Sequence, residues 1–233
     1  MNYFPIALPF LLLFALLFLF LIVFIEIGIL RYAYERIGVG RRHMFALLIL
    51  SFLGSYVNIP LFQLPAHRVA SGEMVNFFGM LYVIPVVRDW PGTTVAVNFG
   101  GAVIPTFLSI YLMVKNSLVR QGLVGVAMVT FFVHLMAYPV EGVGIAIPVF
   151  IPPLIATILA LLLSRQYAPP LAYISGSLGT LIGADILNLG KIEDLGAPVA
   201  SIGGAGTFDG IFMTGILSVL MASLMTRRKR AGR

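Results

Sequence analysis

The chain has no cysteine, a single tryptophan and only nine acidic residues among 233. Without cysteine there are no disulfides, no thiolate metal sites and no thiol catalysis. Charged residues of both signs make up 10% of the sequence, where about a quarter is usual for a soluble domain. What fills the chain instead is hydrocarbon. Hydrophobic residues account for 60% of it, and the mean hydropathy is +1.02.

Several apolar runs reach the roughly 20 residues that a membrane-spanning helix needs. They predict an all-α polytopic membrane protein with about seven transmembrane helices, forming a single transmembrane domain over residues 1–233. The expected spans are 4–30, 43–64, 98–115, 120–140, 144–164, 170–190 and 199–225. The first run, FPIALPFLLLFALLFLFLIVFIEIGIL, lacks the basic start and small-residue cleavage site of a signal peptide, and reads as a retained anchor helix.

Basic residues set the expected orientation. Arg31, Arg36, Arg41 and Arg42 fall between spans one and two, Lys115 and Arg120 between three and four, and Arg165 between five and six. Arg227, Arg228, Lys229, Arg230 and Arg233 follow span seven, so this side holds twelve of the fifteen basic residues. The alternate side has only Arg68, Arg88 and Lys191. The expectation is a prokaryotic cytoplasmic (inner) membrane location with the N-terminus outside and the C-terminus in the cytoplasm. Topology then accounts for the net charge of +6, and a nucleic-acid partner is not expected.

Between spans two and three, FFGMLYVIPVVRDWPGTTVAVNFGG carries β-branched and aromatic residues on both sides of Arg88-Asp89-Trp90-Pro91-Gly92. That punctuation predicts a short external β-hairpin turning there, with Trp90 near the lipid headgroups. An amphipathic or re-entrant helix over 75–87 is the alternative.

Two aspartates stand inside the last two spans, Asp185 in GSLGTLIGADILNLG and Asp209 in VASIGGAGTFDGIFMTGILSVLMASLM. A carboxylate at membrane depth is costly and marks a functional site by default. Asp209 lies about eleven residues into its span, ~16 Å deep, and Asp185 about five residues from its span's end, ~8 Å deep. Loss of helix around Gly203-Gly204 would bring the two to one level. Asn58, Asn98, Glu141 and Asn188 fall in the same outer half, and Thr207, Gly206 and Gly210 surround Asp209, which together predicts an outward-facing polar cavity. Gly179/Gly183 and Gly206/Gly210 are spaced for close helix packing, and they either serve packing alone or leave room beside the carboxylates. His134 is either a proton relay or a hydrogen-bonded helix histidine. The aspartates themselves have a structural alternative, as buried carboxyls bonded to Asn or Ser.

The stretches GSYVNIPL, VNFGGAVIP, GTLIGADILNL and GGAGTFDGIF resemble the motifs of an uncharacterised prokaryotic integral membrane family defined by a domain of unknown function. That resemblance covers most of the chain and implies no activity. Asp185 and Asp209, on consecutive spans and the second after a Gly-x-Gly, are also similar to the aspartate pair of intramembrane aspartyl proteases of the signal peptide peptidase and presenilin class. Two residues separate Gly206 from Asp209 where that class has none, Ala184 precedes Asp185 where it has tyrosine, and no Pro-Ala-Leu follows span seven.

Paired carboxylates in a membrane serve two chemistries. Two close carboxyls share a proton and hydrolyse a peptide bond, or an aspartate binds a proton or cation beside broken helices in a transporter. The expectation is therefore an intramembrane aspartic endopeptidase with Asp185 and Asp209 as catalytic residues, acting on hydrophobic peptide segments. The alternative is a proton- or cation-coupled small-solute transporter or channel using the same aspartates, and a receptor or structural protein ranks third. No metal and no cofactor is expected, and the bilayer is the expected partner.

Overall fold

Proline and glycine decide where the apolar segments break. The computed structural model describes residues 16, 19, 35–65, 67–77, 80–90, 92–140, 144–192, 199–204 and 210–226, with the backbone alone at 41–42, 67–77, 80–90 and 144. Helix α1 (Arg41–Gly54) leads into strand β1 (Asn58–Gln63), then β2 (His67–Phe77), β3 (Met80–Trp90) and β4 (Thr94–Asn98). A π-helical turn (Phe99–Val103) opens into α2 (Ile104–Lys115), followed by α3 (Val119–Met136) and the small strands β5 (Tyr138–Val140) and β6 (Gly144–Ala146). Helix α4 (Ile151–Leu163) precedes α5 (Ala168–Thr180), which runs without interruption into a π turn (Leu181–Asp185) and a 3-10 turn (Ile186–Lys191). Strand β7 (Val199–Ile202) and helix α6 (Gly210–Met225) complete the order.

Helices α2, α4 and α5 each carry proline in the first turn, where the missing N–H has no partner to lose. Helix α5 is the axis of the bundle. All of its residues except Leu178 are buried, and α2, α3, α4 and α6 pack around it. A Cβ on Gly179 would stand 2.6 Å from the Val129 side chain, and one on Gly183 would stand 2.7 Å from Thr130 O. The Gly179/Gly183 pair thus seats α5 directly on α3. Hydroxyls inside the bundle turn back on their own helices, as with Ser175 Oγ to Leu171 O (2.7 Å) and Thr157 Oγ1 to Pro153 O (2.7 Å). Ser218 Oγ also donates to Ala172 O at 3.0 Å, tying α6 to α5.

The chain is mostly helical, but it is not all-α. Strands β1, β4 and β7 form a sheet in that order, β1 antiparallel and β7 parallel to β4. Strands β2 and β3 pair in register from His67↔Trp90 to Phe77↔Met80, and β5 pairs with β6. The hairpin after α1 is therefore present but differs from expectation. Its strands are eleven residues each, they pair as far as Phe77↔Met80, and Arg88-Asp89-Trp90 continues β3 rather than turning. The β-branched pairs Val83-Ile84 and Val86-Val87, with Trp90 itself favoured in strands, outweighed the turn propensity of Asp89.

Seven membrane-length helices are likewise not found among the described residues. Two runs are long and apolar enough to cross a membrane, Val119–Met136 (18 residues) and Ala168–Lys191 (24 residues). The expected spans 43–64, 98–115, 144–164 and 199–225 are shorter helices continued by strand or turn. The run 4–30 lies outside the described residues apart from 16 and 19, and the basic tail 227–233 lies outside them altogether.

Candidate functional site

Asp185 closes the π turn that ends α5, and it is half-buried. A π turn adds a residue to the helical repeat and is frequent at functional positions. Here it accompanies a carboxylate whose Oδ2 accepts the Gly203 N–H at 2.7 Å. Gly203 and Gly204 follow β7 at φ of 94° and 83°, a region that glycine alone enters without strain. The backbone there is also crowded. A Cβ on Gly203 would lie 2.6 Å from both Ala102 N and Ala102 Cβ, while Gly101 backs onto the Gly203 carbonyl. Glycine is needed on both sides of this seam.

The sheet reaches Asp185 through the same turn. Asn98, fully buried, donates from Nδ2 to Ser55 O (2.7 Å) and Asn58 Oδ1 (3.1 Å), while its Oδ1 accepts Gly101 N–H (2.8 Å) and so caps the π turn before α2. Ser201 Oγ donates to Asn58 Oδ1 at 2.7 Å. Asn58, Asn98 and Ser201 thus cross-link β1, β4 and β7, and Gly203, two residues beyond Ser201, delivers the strand end to Asp185. Ser201 and Ser55 were not singled out from sequence, because short polar residues flanking an apolar run carry no signal of a partner on another segment.

Asn188 belongs to a second cluster on the other side of the π turn. Its Nδ2 bonds Gly183 O and Ala184 O, both at 2.9 Å, and lies 3.3 Å from His134 Nδ1. The buried amide therefore holds the end of α5 to α3, with His134 as its neighbour rather than Asp185. Gly210 begins α6 against Ile147. Asp209, Glu141, Thr207 and Gly206 lie outside the described residues.

Both flanks of the segment that carries Asp209 are nevertheless fixed. On one side Gly203 is bonded to Asp185. On the other, Ile211 packs with Leu181, the first residue of the Asp185 turn, and with Ala102. Among the described residues no group of three or more His, Cys, Asp or Glu is placed to hold a metal ion.

The model of a family described as "Protein of unknown function (DUF1614)" matches residues 52–221. The chain belongs to the DUF1614 family. No curated protein and no solved structure matches it. The DUF1614 match begins in α1 and ends in α6, so it takes in the three sheets, both π turns and both aspartates.

Proposed function

We propose that this DUF1614 protein is embedded in the bilayer and that Asp185 and Asp209 form a paired-carboxylate site which hydrolyses peptide bonds in membrane-spanning or lipid-proximal segments. The membrane reading is supported by an apolar surface. Phe107, Leu135 and Leu162 are 69%, 66% and 77% exposed, while Ser109, Thr157, Ser175 and Ser218 are buried at 0–1%. A surface of large apolar side chains over an apolar core that also holds buried hydroxyls suits lipid and not water. The site reading is supported by the anchoring of Gly203 and Ile211 on the Asp185 turn, two positions that bracket Asp209 in the sequence.

In that chemistry one carboxylate takes a proton from water as the hydroxyl adds to the scissile carbonyl, and the protonated partner donates to the carbonyl oxygen. Collapse of the tetrahedral intermediate returns a proton to the leaving amine. Two carboxyls close together share one proton between them, which supplies both roles at once. Neither role survives conversion to an amide. Purified protein incubated with hydrophobic single-span peptides should cleave them, and Asp185→Asn and Asp209→Asn should each abolish cleavage while leaving the fold intact.

One observation favours proton- or cation-coupled transport as the second reading. Ser109 Oγ and Thr180 Oγ1 are buried within the bundle without a hydrogen-bond partner among the described residues, and Thr180 directly precedes the Asp185 turn. Buried hydroxyls without partners in a bundle that also holds a carboxylate suit hydrated ion passage. Proton or sodium flux in sealed vesicles, altered by the same substitutions and unaccompanied by any cleavage, would replace the protease reading with this one.

A further inference from the structure

We propose that the cleft between α1 and α2 binds an anionic phospholipid of the cytoplasmic leaflet, with an acyl chain along the groove and the phosphate at Lys115 and His43. The proposal rests on the membrane reading above and is independent of the aspartates. The cavity has a volume of about 830 Å³, within the roughly 300–1,000 Å³ of small-ligand sites. Its α1 wall presents His43, Leu47 and Leu50, and its α2 wall presents Phe107, Tyr111 and Lys115. These residues recur at three- and four-residue spacing, so each helix turns one face to the groove along its length. Helix α2 has 12 residues and gives the groove ~18 Å at ~1.5 Å per residue, the scale of an acyl chain.

Polarity along the cleft is one-sided. Hydrocarbon lines most of it, and at one end Lys115 Nζ donates to Gly38 O at 2.6 Å and sits 5.3 Å from the Tyr111 ring centroid. An ammonium group has three donors. One serves Gly38, which places the charge at the cleft mouth with donors remaining for an anion. The α1 helix also starts there with no side-chain cap and no acidic residue in its first turn, so the positive end of its dipole adds to the Lys115 charge. Basic pockets between membrane helices on the cytoplasmic side select anionic headgroups. A zwitterionic lipid would bring its own cation to the same mouth and forfeit that selection.

The test is native mass spectrometry of protein reconstituted in phosphatidylglycerol or phosphatidylcholine, after confirming that alkaline carbonate leaves it in the membrane. Wild type should retain phosphatidylglycerol at least ~5-fold better, and Lys115→Gln should remove the preference. Ala46→Trp, which keeps every charge and fills the groove, should displace the lipid even if Lys115→Gln does not fold. Equal retention of the two lipids by wild type, or undiminished phosphatidylglycerol on Ala46→Trp, would overturn the proposal. So would a disulfide between Leu47→Cys and Phe20→Cys in this cysteine-free chain, because the N-terminal apolar run would then occupy the cleft. Release into carbonate would instead defeat the membrane reading itself.

Discussion

Asn98 shows how far a single residue can be read. An amide beside an apolar run marks a polar place, and the sequence does not distinguish a ligand-facing group from one saturated by its own backbone. In the fold, both Nδ2 donors and Oδ1 are engaged, by Ser55 O, Asn58 Oδ1 and Gly101 N. Asn98→Ala should therefore destabilise by about 1–3 kcal/mol for each buried group left alone, read as a lower denaturation midpoint in detergent. An unchanged midpoint would show that Ser55 O and Gly101 N find water. Gly203 and Gly190 make a sharper pair. Alanine at 203 must adopt a φ near 94° and strike Ala102, whereas none of the described residues lies within 4 Å of a Cβ at Gly190. Gly203→Ala should lose about 1–2 kcal/mol to backbone strain with overpacking added, and Gly190→Ala should stay within about 0.5 kcal/mol of wild type. Asp185 stood out in the sequence because it is charged in an apolar run. Its bond to Gly203, 18 positions away, did not, since the donor is a backbone group and carries no residue-type signal.

At the scale of elements, hydropathy located the apolar segments but did not divide them. An apolar strand and an apolar helix end look alike in a window of mixed β-branched residues, so the sequence of Asn58–Gln63 suits the end of a span although it forms an edge strand. Its Pro60 fits that place, because an edge strand tolerates a missing donor and the register slips between Pro60 and Phe62. Glycine spacing was more informative. Gly179/Gly183 was recognisable as a close-packing pair, and the contacts with Val129 and Thr130 assign it to the α3–α5 seam. The α5–α6 contact at Gly176 and Gly215 was not recognisable, because its two glycines lie on different helices and face Ser218 and Ser177 rather than each other. Gly179→Leu should force α3 off α5, with loss of about 1–3 kcal/mol or more and faster proteolysis of the loop after α3. A larger residue tolerated at 179 with no change in protease resistance would mean that the seam is loose.

The whole molecule has two unlike ends. Helix α1 runs from Gly40 and His43 toward the sheet, α2 runs back from the sheet to Lys115, α3 starts beside Arg120, and α4 ends two residues before Arg165, which lies between it and α5. Helix α5 returns to the sheet at Asp185, and α6 leaves it again toward the basic tail. Strands β1, β4 and β7 and Asp185 thus share one end, while Lys115, Arg120 and Arg165 share the other. Helices of 12–16 residues such as α1, α2, α4 and α6 rise only ~18–24 Å, short of a hydrocarbon core of about 30 Å. Open sheet edges are not stable against lipid, so in the proposed embedding the sheet end belongs at the membrane surface or in a watered recess. If the protein is embedded as proposed, retention of basic residues on the cytoplasmic side would put the sheet and Asp185 outside. A reporter fused after Arg233 should then be cytoplasmic and one inserted at Gly92 external. Asp185→Cys should react with a membrane-impermeant thiol reagent added from outside, unaided by other thiols because the chain has none. Labelling only from the cytoplasmic side would invert the molecule, move the carboxylate to the inner leaflet and place the Lys115 cleft among outer-leaflet lipids.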